Sequence, residues 1–376
     1  MKWLCVLLAT TGCNLYWSDD PGDGSGYVAP LVDAPPPTNQ LVRPCMRALA
    51  GGDFAVSGFE EIAITYVCDC CGITEGLRAP DRVLTGVNPR GDYQDRFRAI
   101  IAEKIDDDYL DTAIHVGEHV GGTWIFSGNG GNRITIERGF DDMWIGDLDG
   151  DGKRDYLMAG DNAIRMASAY SQPYQFPLVT TAADETDLLT GKPFRYVAHA
   201  QLGGSSAPDV FYVTTGGELG VAVQSTSSSG PTFTVVDTKT DPGGSVLPLV
   251  TADFDGDGID DVAGAAGHVF VRSSKTGQIA FLDQGARALA AGDVDNDGRK
   301  DLIFISANGA VTGRVNVGAN GALTSQPLLP HGGDGLAVAD LDGDHHADIV
   351  LVDHLVPPGY SPPVDSTITM YAGASL

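Results

Sequence analysis

The sequence predicts an all-β fold built from a series of similar small sheets. Three observations support this prediction. A nine-residue acidic pattern returns along the chain, short apolar and β-branched stretches flank it, and glycine accounts for 49 of the 376 residues. Glycine at about 13%, against a usual ~7% and without the spacing of collagen, indicates many tight turns between short strands.

The acidic pattern is Asp-x-Asp-x-Asp-Gly-x-x-Asp, and four segments of the chain carry all of its acids. We name these segments loop A (147–155), loop B (253–261), loop C (293–301) and loop D (340–348). Loop D departs from the pattern at its sixth position, where His345 replaces glycine. We therefore expect loop D to form a site that is weaker than the other three or empty.

Three further segments keep part of the pattern and stay in phase with the complete copies. They are 53–61, 103–111 and 201–209, and each ends in an acidic residue. The first residues of successive copies are 40 to 54 positions apart. This period is close to the ~40–50 residues of one propeller blade. The repetition therefore predicts seven structural units.

Strand-forming stretches lie on both sides of the pattern. In loop D, Leu336–Ala339 precedes the acids and Ile349–Val352 follows them, and such short apolar runs predict buried strands. Each repeat then contains one or two further strand-like pieces separated by glycine-containing turns. The unit is therefore a small antiparallel sheet, and seven sheets arranged radially would form a seven-bladed β-propeller over residues 45–376.

The last repeat has fewer strand-like stretches than the others. After Ile349–Val352, only Thr367–Tyr371 offers a further strand. The segment 28–46 precedes the first repeat and can supply the missing outer strand. We therefore predict that this N-terminal segment pairs into the last sheet, which would hide strand edges that otherwise promote aggregation.

The acids of the four complete copies have the spacing of a calcium loop. Side chains at positions 1, 3, 5 and 9 and the carbonyl at position 7 supply five oxygens, and calcium accepts six to eight at flexible geometry. Glycine at position 6 permits the left-handed backbone that turns the chain around an ion. The candidate calcium ligands are Asp147, Asp149, Asp151, Asp155, Asp253, Asp255, Asp257, Asp261, Asp293, Asp295, Asp297, Asp301, Asp340, Asp342, Asp344 and Asp348.

An EF-hand loop begins with the same acids but requires glutamate at position 12 and helices on both sides. Position 12 is Met158, Gly264, Phe304 or Leu351 in the four copies, and the flanks predict strands. The acidic pattern within a β-hairpin instead resembles the FG-GAP and VCBS-type repeats and the N-terminal β-propeller of integrin α-chains. The resemblance covers about residues 45–376. It implies structural calcium ions that hold hairpins within blades, away from the central ligand face.

The N-terminus predicts export. Lys2 precedes the apolar run Trp3–Ala9, and Thr10-Thr11-Gly12-Cys13 resembles the acylation site of bacterial lipoproteins. We expect a signal peptide over residues 1–12, a lipid anchor at Cys13 and a flexible tether rich in proline and glycine over residues 13–44. The protein would then be an outer-membrane or cell-surface lipoprotein. An unlipidated signal, and a periplasmic or secreted protein, is the alternative.

Four cysteines remain outside this predicted signal and anchor. They are Cys45, Cys68, Cys70 and Cys71, and their spacing does not match paired zinc knuckles. In an exported protein they favour a disulfide between Cys45 and one of the other three. Free buried thiols are the alternative.

Charge and motifs narrow the class of function. The formal net charge of −27 argues against nucleic-acid binding, and no apolar run is long enough to span a membrane, so we expect membrane contact only through Cys13. The sequence His115-Val116-Gly117-Glu118-His119 matches a metalloprotease pattern that requires a helix, whereas its glycines favour a hairpin. We expect a non-catalytic adhesion or scaffold protein that binds protein or glycan. The alternative is an extracellular polysaccharide lyase or hydrolase with its site at the central channel.

Overall fold

The structure is a computed structural model, and its secondary structure is almost entirely β-strand in the part of the chain that it describes. The described residues are 39–44, 46–52, 60–68, 71–79, 85–93, 96–104, 111–118, 123–126, 133–136, 140–149, 155–160, 162–168, 178–180, 185–201, 208–227, 230–241, 246–318, 321–355, 365–373 and 376. The predicted signal peptide, Cys13, Cys45 and Cys70 lie outside these residues. Among the described residues, no helix has the length and hydropathy needed to cross a membrane.

The strands follow one another along the chain with short connections. The first ten are β1 (Asn39–Pro44), β2 (Met46–Gly52), β3 (Glu61–Cys68), β4 (Cys71–Arg78), β5 (Thr85–Tyr93), β6 (Arg96–Lys104), β7 (Asp111–Glu118), β8 (Thr123–Phe126), β9 (Arg133–Ile136) and β10 (Asp142–Gly146). The next ten are β11 (Asp155–Gly160), β12 (Ala163–Ser168), β13 (Leu178–Thr180), β14 (Glu185–Thr190), β15 (Phe194–Ala200), β16 (Asp209–Thr214), β17 (Glu218–Ser227), β18 (Gly230–Thr240), β19 (Val250–Ala252) and β20 (Asp261–Ala265). The last nine are β21 (Val269–Arg272), β22 (Ile279–Phe281), β23 (Ala286–Gly292), β24 (Asp301–Ser306), β25 (Thr312–Val317), β26 (Leu323–Leu329), β27 (Gly335–Ala339), β28 (Asp348–Asp353) and β29 (Asp365–Tyr371).

These strands form small antiparallel sheets in which sequence neighbours are also spatial neighbours. In chain order we number them sheet 1 (β2 to β5), sheet 2 (β6 to β9, with β13), sheet 3 (β10, β11, β12 and β14), sheet 4 (β15 to β18), sheet 5 (β19 to β22), sheet 6 (β23 to β26) and sheet 7 (β27, β28, β29 and β1). Only sheet 2 has five strands within the described chain, because β13 pairs with β9 in parallel. The prediction of an all-β chain of small antiparallel sheets is confirmed.

Every copy of the acidic pattern occupies the same place in its sheet, the connection between the first and second strands. Loop A joins β10 to β11, loop B joins β19 to β20, loop C joins β23 to β24, and loop D joins β27 to β28. The three partial copies lie between the first two strands of sheets 1, 2 and 4. The flanks of the pattern are therefore strands, as predicted, and not the helices of an EF-hand. The residues from His115 to Glu118 likewise lie in β7 and not in a helix.

The hydrophobic core lies between neighbouring sheets. Between sheets 5 and 6, for example, Val269 and Val271 pack with Leu302 and Phe304, and each is at most 2% exposed. Similar clusters join sheets 3 and 4, 4 and 5, 6 and 7, and 7 and 1. The first strand of each sheet also contacts the first strand of the next sheet, and β27 of sheet 7 contacts β2 of sheet 1. Face-to-face packing of this kind buries both faces of a strand, which explains why β11, β16 and β20 are apolar and fully buried.

The outer strand of sheet 7 comes from the opposite end of the sequence. Strand β1 pairs antiparallel with β29, so that Asn39 lies opposite Met370 and Pro44 lies opposite Asp365. Leu41 is 4% exposed and packs in the cluster between sheets 7 and 1. The prediction that the segment 28–46 contributes a strand to the last sheet is confirmed for residues 39–44, which fall at the end of the predicted tether.

Candidate metal centres

Each of the four loops brings three carboxylates together. In every group the three candidate ligand oxygens lie within 4.8 Å of one another, which suits a single small cation. The groups are Asp147, Asp149 and Asp155 in loop A; Asp253, Asp255 and Asp261 in loop B; Asp293, Asp295 and Asp297 in loop C; and Asp340, Asp342 and Asp344 in loop D.

The first aspartate of the loop shapes the backbone. Asp253 Oδ1 accepts a hydrogen bond from Gly256 N at 2.7 Å, and its Oδ2 accepts one from Gly258 N at 2.8 Å. Asp293 and Asp340 accept amide hydrogen bonds from the same region of their own loops. The first carboxylate therefore folds the loop around itself, in the manner of an Asx turn.

Two positions of the loop, not one, adopt a left-handed backbone. Positive φ angles occur at the fourth and sixth positions: Gly256 (78°), Gly258 (85°), Asn296 (55°), Gly298 (85°), Gly343 (78°) and His345 (70°). The glycine of the motif predicted this conformation only at the sixth position. Glycine or asparagine at the fourth position was the available signal, because these residues tolerate this conformation best. His345 shows that the sixth position of loop D keeps the left-handed backbone although its residue is not glycine.

The ninth aspartate is buried and braces the loop against its sheet. Asp261 is 0% exposed, its Oδ2 accepts a hydrogen bond from Phe254 N at 3.0 Å, and its Oδ1 accepts one from Ser274 N at 2.7 Å. In loops A, C and D the ninth aspartate accepts the matching bond from the second residue of the loop. Asp209, the last residue of a partial copy, accepts a hydrogen bond from Gln224 N at 3.0 Å. This bracing role explains why the ninth acid survives where the other acids are lost.

Burial makes these ninth carboxylates hard to ionise in the absence of a cation. It raises the pKa of Asp261 to about 6, that of Asp301 to about 6 and that of Asp348 to about 7. Backbone hydrogen bonds oppose the effect, whereas neighbouring carboxylates such as Asp255 add to it. A bound cation would favour the charged form, so the loops have an electrostatic reason to bind one.

Loop B fits a hard cation best among the described loops. Asp255 Oδ1 is buried and has no hydrogen-bond partner, while Asp255 Oδ2 accepts a hydrogen bond from Ser273 Oγ at 2.8 Å. An unpartnered buried carboxylate oxygen is costly unless a cation satisfies it. Asp253, Asp255 and Asp261 would hold the ion, and carboxylate oxygens are the ligands that calcium prefers.

The other predicted ligands have different positions. Asp257 lies outside the three-carboxylate group of loop B and accepts hydrogen bonds from Ile259 N and Ser274 Oγ. Asp301 and Asp348 serve as braces outside the groups of loops C and D. Asp151 lies outside the described residues. The assignment of all sixteen aspartates as calcium ligands stays a prediction.

Neighbouring loops also contact each other. Ala347 N of loop D donates a hydrogen bond to Asp293 O of loop C at 2.7 Å, and His346 Nδ1 lies 3.1 Å from Val294 O. On its other side, Asp340 N donates a hydrogen bond to Glu60 Oε2 at 2.9 Å. The loops of sheets 6, 7 and 1 are therefore joined by direct contacts, which places them at the same edge of their sheets.

Repeated antiparallel sheets, with an acidic hairpin loop at one place in each unit, define a β-propeller built from sequence repeats. The family model for FG-GAP-like repeats matches residues 273–351, which include loops C and D. A solved structure described as BBS1N in complex with ARL6DN, soaked with lead, is similar to this chain with a TM-score of 0.53 and 10% sequence identity. The match covers 87% of this chain and 91% of that one. No curated protein matches the chain. The chain therefore has a β-propeller fold, and the match of residues 273–351 to FG-GAP-like repeats agrees with the resemblance that the sequence indicated.

Proposed function

We propose that this chain is a calcium-stabilised, seven-bladed β-propeller that acts as a non-catalytic scaffold and binds a partner protein outside the cytoplasm. The observation that carries the proposal is the recurrence of three clustered carboxylates between the first and second strands of four different sheets. A catalytic metal site is usually single and keeps an open position, whereas redundant loops made of protein oxygens serve stability.

Two features support seven blades that close into a ring. The first strands contact one another from sheet to sheet, with a further contact between β27 and β2. Strand β1 completes sheet 7 by pairing with β29. Blades completed by strands from both ends of the chain resist opening, because separating them would require the rupture of a sheet in addition to the packed interface.

Calcium would supply positive charge at the centre of each loop. The residues of this chain then have separate tasks. In loop B, the aspartate at position 1 sets the turn through backbone amides and the aspartate at position 3 offers an oxygen to the ion. The aspartate at position 9 ties the loop to the turn that follows β21. Loading would therefore stiffen the hairpin at the edge of each blade, where the loops of neighbouring sheets meet.

A protein partner is supported by the fold neighbour, whose description names a complex of BBS1N with ARL6DN. The net charge of −27 favours a partner with a basic contact surface, because complementary charge accelerates and orients association. The predicted signal peptide and Cys13 support display on the outside of a bacterial membrane. Cys13→Ser would then abolish acylation, as measured by labelling with a radioactive fatty acid, and an unlabelled parent protein would contradict the anchor.

The calcium proposal is tested by thermal unfolding of the whole protein in excess EDTA and in increasing calcium. We expect calcium to raise Tm in a concentration-dependent manner, since an ion at 100 times its Kd stabilises the folded state by about 2.7 kcal/mol per site. Magnesium at equal concentration serves as the control, because it is smaller and gives up its water less readily. A Tm that is the same in EDTA and in millimolar calcium would refute the proposal.

A further inference from the structure

We propose that Arg314 fills the cation position of loop C from within the chain, so that loop C does not take up calcium while Arg314 is present. The inference rests on the proposed calcium loops and identifies which of them an ion can enter. It follows from the position of one arginine side chain, from the strand register and from a comparison of the four loops.

The guanidinium of Arg314 lies between two carboxylates of loop C. Its Nη1 donates a hydrogen bond to Asp295 Oδ2 at 2.5 Å, and its Nε lies 2.8 Å from Asp301 Oδ1 in an ion pair that is not a hydrogen bond. The side chain of Arg314 is only 16% exposed, and that of Asp301 is 6% exposed. Water therefore screens this arrangement only in part, and the attraction between the charges is stronger than at an open surface.

The strand register explains how the arginine reaches the loop. Arg314 lies in β25, opposite Ile303 of β24. Asp301 precedes Ile303 by two residues, so Asp301, Ile303 and Arg314 point to the same face of the sheet. A long side chain at this diagonal position can extend along the face to the ninth acid of the loop.

The equivalent position is apolar in the other three sheets. In each sheet we compare the residue of the third strand that lies opposite the second-strand residue two positions after the last aspartate of the loop. This residue is Met166 in sheet 3, Val271 in sheet 5 and Met370 in sheet 7. All three are buried, with exposures of 7%, 1% and 0%. Loops A, B and D therefore receive no cation from this position, and only loop C does.

A second arginine strengthens the difference. Arg299 Nη2 lies 2.5 Å from Asp297 Oδ2, so two of the three clustered carboxylates of loop C are paired with guanidinium groups. In loop B, by contrast, Asp255 and Asp257 accept hydrogen bonds from Ser273 and Ser274. The charge of the buried Arg272 also acts on Asp261 of loop B, but one oxygen of Asp255 has no hydrogen-bond partner.

Calcium and Arg314 would compete for the same oxygens. An ion in loop C would need Asp295 and would sit beside a fixed positive charge, so the guanidinium would have to leave before the ion could bind. In loop B, Asp255 presents a buried oxygen that has no hydrogen-bond partner. Loop C thus carries a cation of its own, whereas loop B offers an open carboxylate oxygen to an external one.

The experiment counts the calcium ions bound by the whole protein, using equilibrium dialysis and isothermal titration at neutral pH. Arg314→Met installs the residue that sheets 3 and 7 have at this position. We expect it to bind one more calcium ion per chain than the parent protein, with the affinities of the remaining sites unchanged within about twofold. The matched control is Arg287→Met, which removes one positive charge and the ion pair with Asp334 but lies outside the loops.

Combination with Asp293→Asn assigns the additional ion. We expect this substitution to abolish the additional ion in the Arg314→Met protein and to leave the number of ions unchanged in the parent protein. Asp253→Asn should remove one ion from both. The inference can also be tested if Arg314→Met does not fold. In the parent protein, Asp253→Asn should remove one ion whereas Asp293→Asn should remove none.

The possible outcomes separate the two proposals. Equal, non-zero numbers of calcium ions in the parent and Arg314→Met proteins would overturn the role of Arg314, and so would the loss of an ion from the parent upon Asp293→Asn. If neither protein binds calcium, the calcium scaffold itself is wrong, and the inference about Arg314 fails with it.

Discussion

Loops B and C have the same spacing of four aspartates and connect the first two strands of adjacent sheets, yet their carboxylates have different partners. In loop B the acids face serine hydroxyls and backbone amides, and one oxygen of Asp255 is buried without a partner. In loop C, Arg314 and Arg299 lie against Asp295 and Asp297. The difference shows that the acidic motif favours a nearby positive charge but does not determine whether a bound ion or an arginine side chain supplies it.

The largest expected effect comes from substitution of the aspartate at position 9, Asp261 in loop B and Asp301 in loop C. The loss of stability should differ between the two loops. In EDTA, Asp301→Ala removes the more buried of the two carboxylates that face Arg314 as well as a brace, and we expect it to lower the free energy of unfolding by about 3 kcal/mol. Asp261→Ala removes the brace and the weakest of three carboxylate interactions with Arg272, and it should cost about 1–2 kcal/mol. Urea unfolding of both variants measures these values. A larger loss for Asp261→Ala in EDTA would contradict the difference between the loops.

Substitution of the aspartate at position 3, Asp255 in loop B or Asp295 in loop C, should change the response to calcium in one loop and not in the other. Asp255→Asn weakens an ion ligand in loop B, so we expect it to remove about 2 kcal/mol of the stabilisation gained at 100 times the Kd. Asp295→Asn in loop C should leave the calcium-dependent gain unchanged while lowering stability equally with and without the ion. Thermal unfolding in EDTA and in calcium provides the measurement. An equal loss of the calcium-dependent gain in both variants would remove the distinction.

A buried acid outside the loops sets the background for any pH comparison. Burial raises the pKa of Asp142 to about 7, while its Oδ2 accepts a hydrogen bond from Val197 N at 2.9 Å. Because the folded state disfavours the charged form, stability is retained at acidic pH and is lost as pH rises from about 4 through about 7. Asp142→Asn stays neutral, so we expect it to exceed the parent protein in stability by about 2 kcal/mol at pH 8 and to match it near pH 4.

Urea unfolding of the parent and Asp142→Asn proteins at both pH values tests this expectation. Burial lowers the pKa of His199 to about 4, so the effect of this group on stability has the opposite sign. Because both proteins contain His199, its contribution cancels in the difference between them. A parent–variant difference that is independent of pH would show that the pKa of Asp142 is the same in the folded and unfolded states, and would refute the expectation.

The smallest expected effect compares loops B and D at their sixth position. His345 has a φ of 70° and Gly258 a φ of 85°. We expect His345→Gly to stabilise the protein by about 0.5–1 kcal/mol, because glycine adopts this backbone without steric cost. Gly258→His should destabilise by a similar amount, since a side chain there meets only open space and the backbone alone is affected. Chemical unfolding in EDTA measures both, and effects of the same sign would refute the explanation.

Much of the fold follows from the sequence because the repeat is local. The acids mark the turn between two strands, so each copy of the pattern indicated the first two strands of a sheet, and the short last repeat indicated that β1 would join sheet 7. The addition of β13 to sheet 2 was not predicted, because it pairs with β9 across more than forty residues of intervening chain. Such a pairing leaves no local periodic signal.

The candidate site was predicted in part for a similar reason. The clustering of Asp253, Asp255 and Asp261 follows from spacing within one turn. The contact between Arg314 and Asp301 depends on the register between β24 and β25, and this register cannot be derived from the sequence alone. The bracing role of the aspartate at position 9 was also missed, because its partners include a backbone amide in a more distant turn, between β21 and β22.

The pairing of β1 with β29 has a consequence for the order of folding. Gln40 and Thr369 form a hydrogen bond across 329 positions of sequence. During synthesis the early strand therefore has no partner until nearly the whole chain has emerged, and closing so long a loop is entropically slow. Sheet 7 should be the last blade to form, and an unpaired β1 is the segment through which an unfinished chain would meet a second copy of itself.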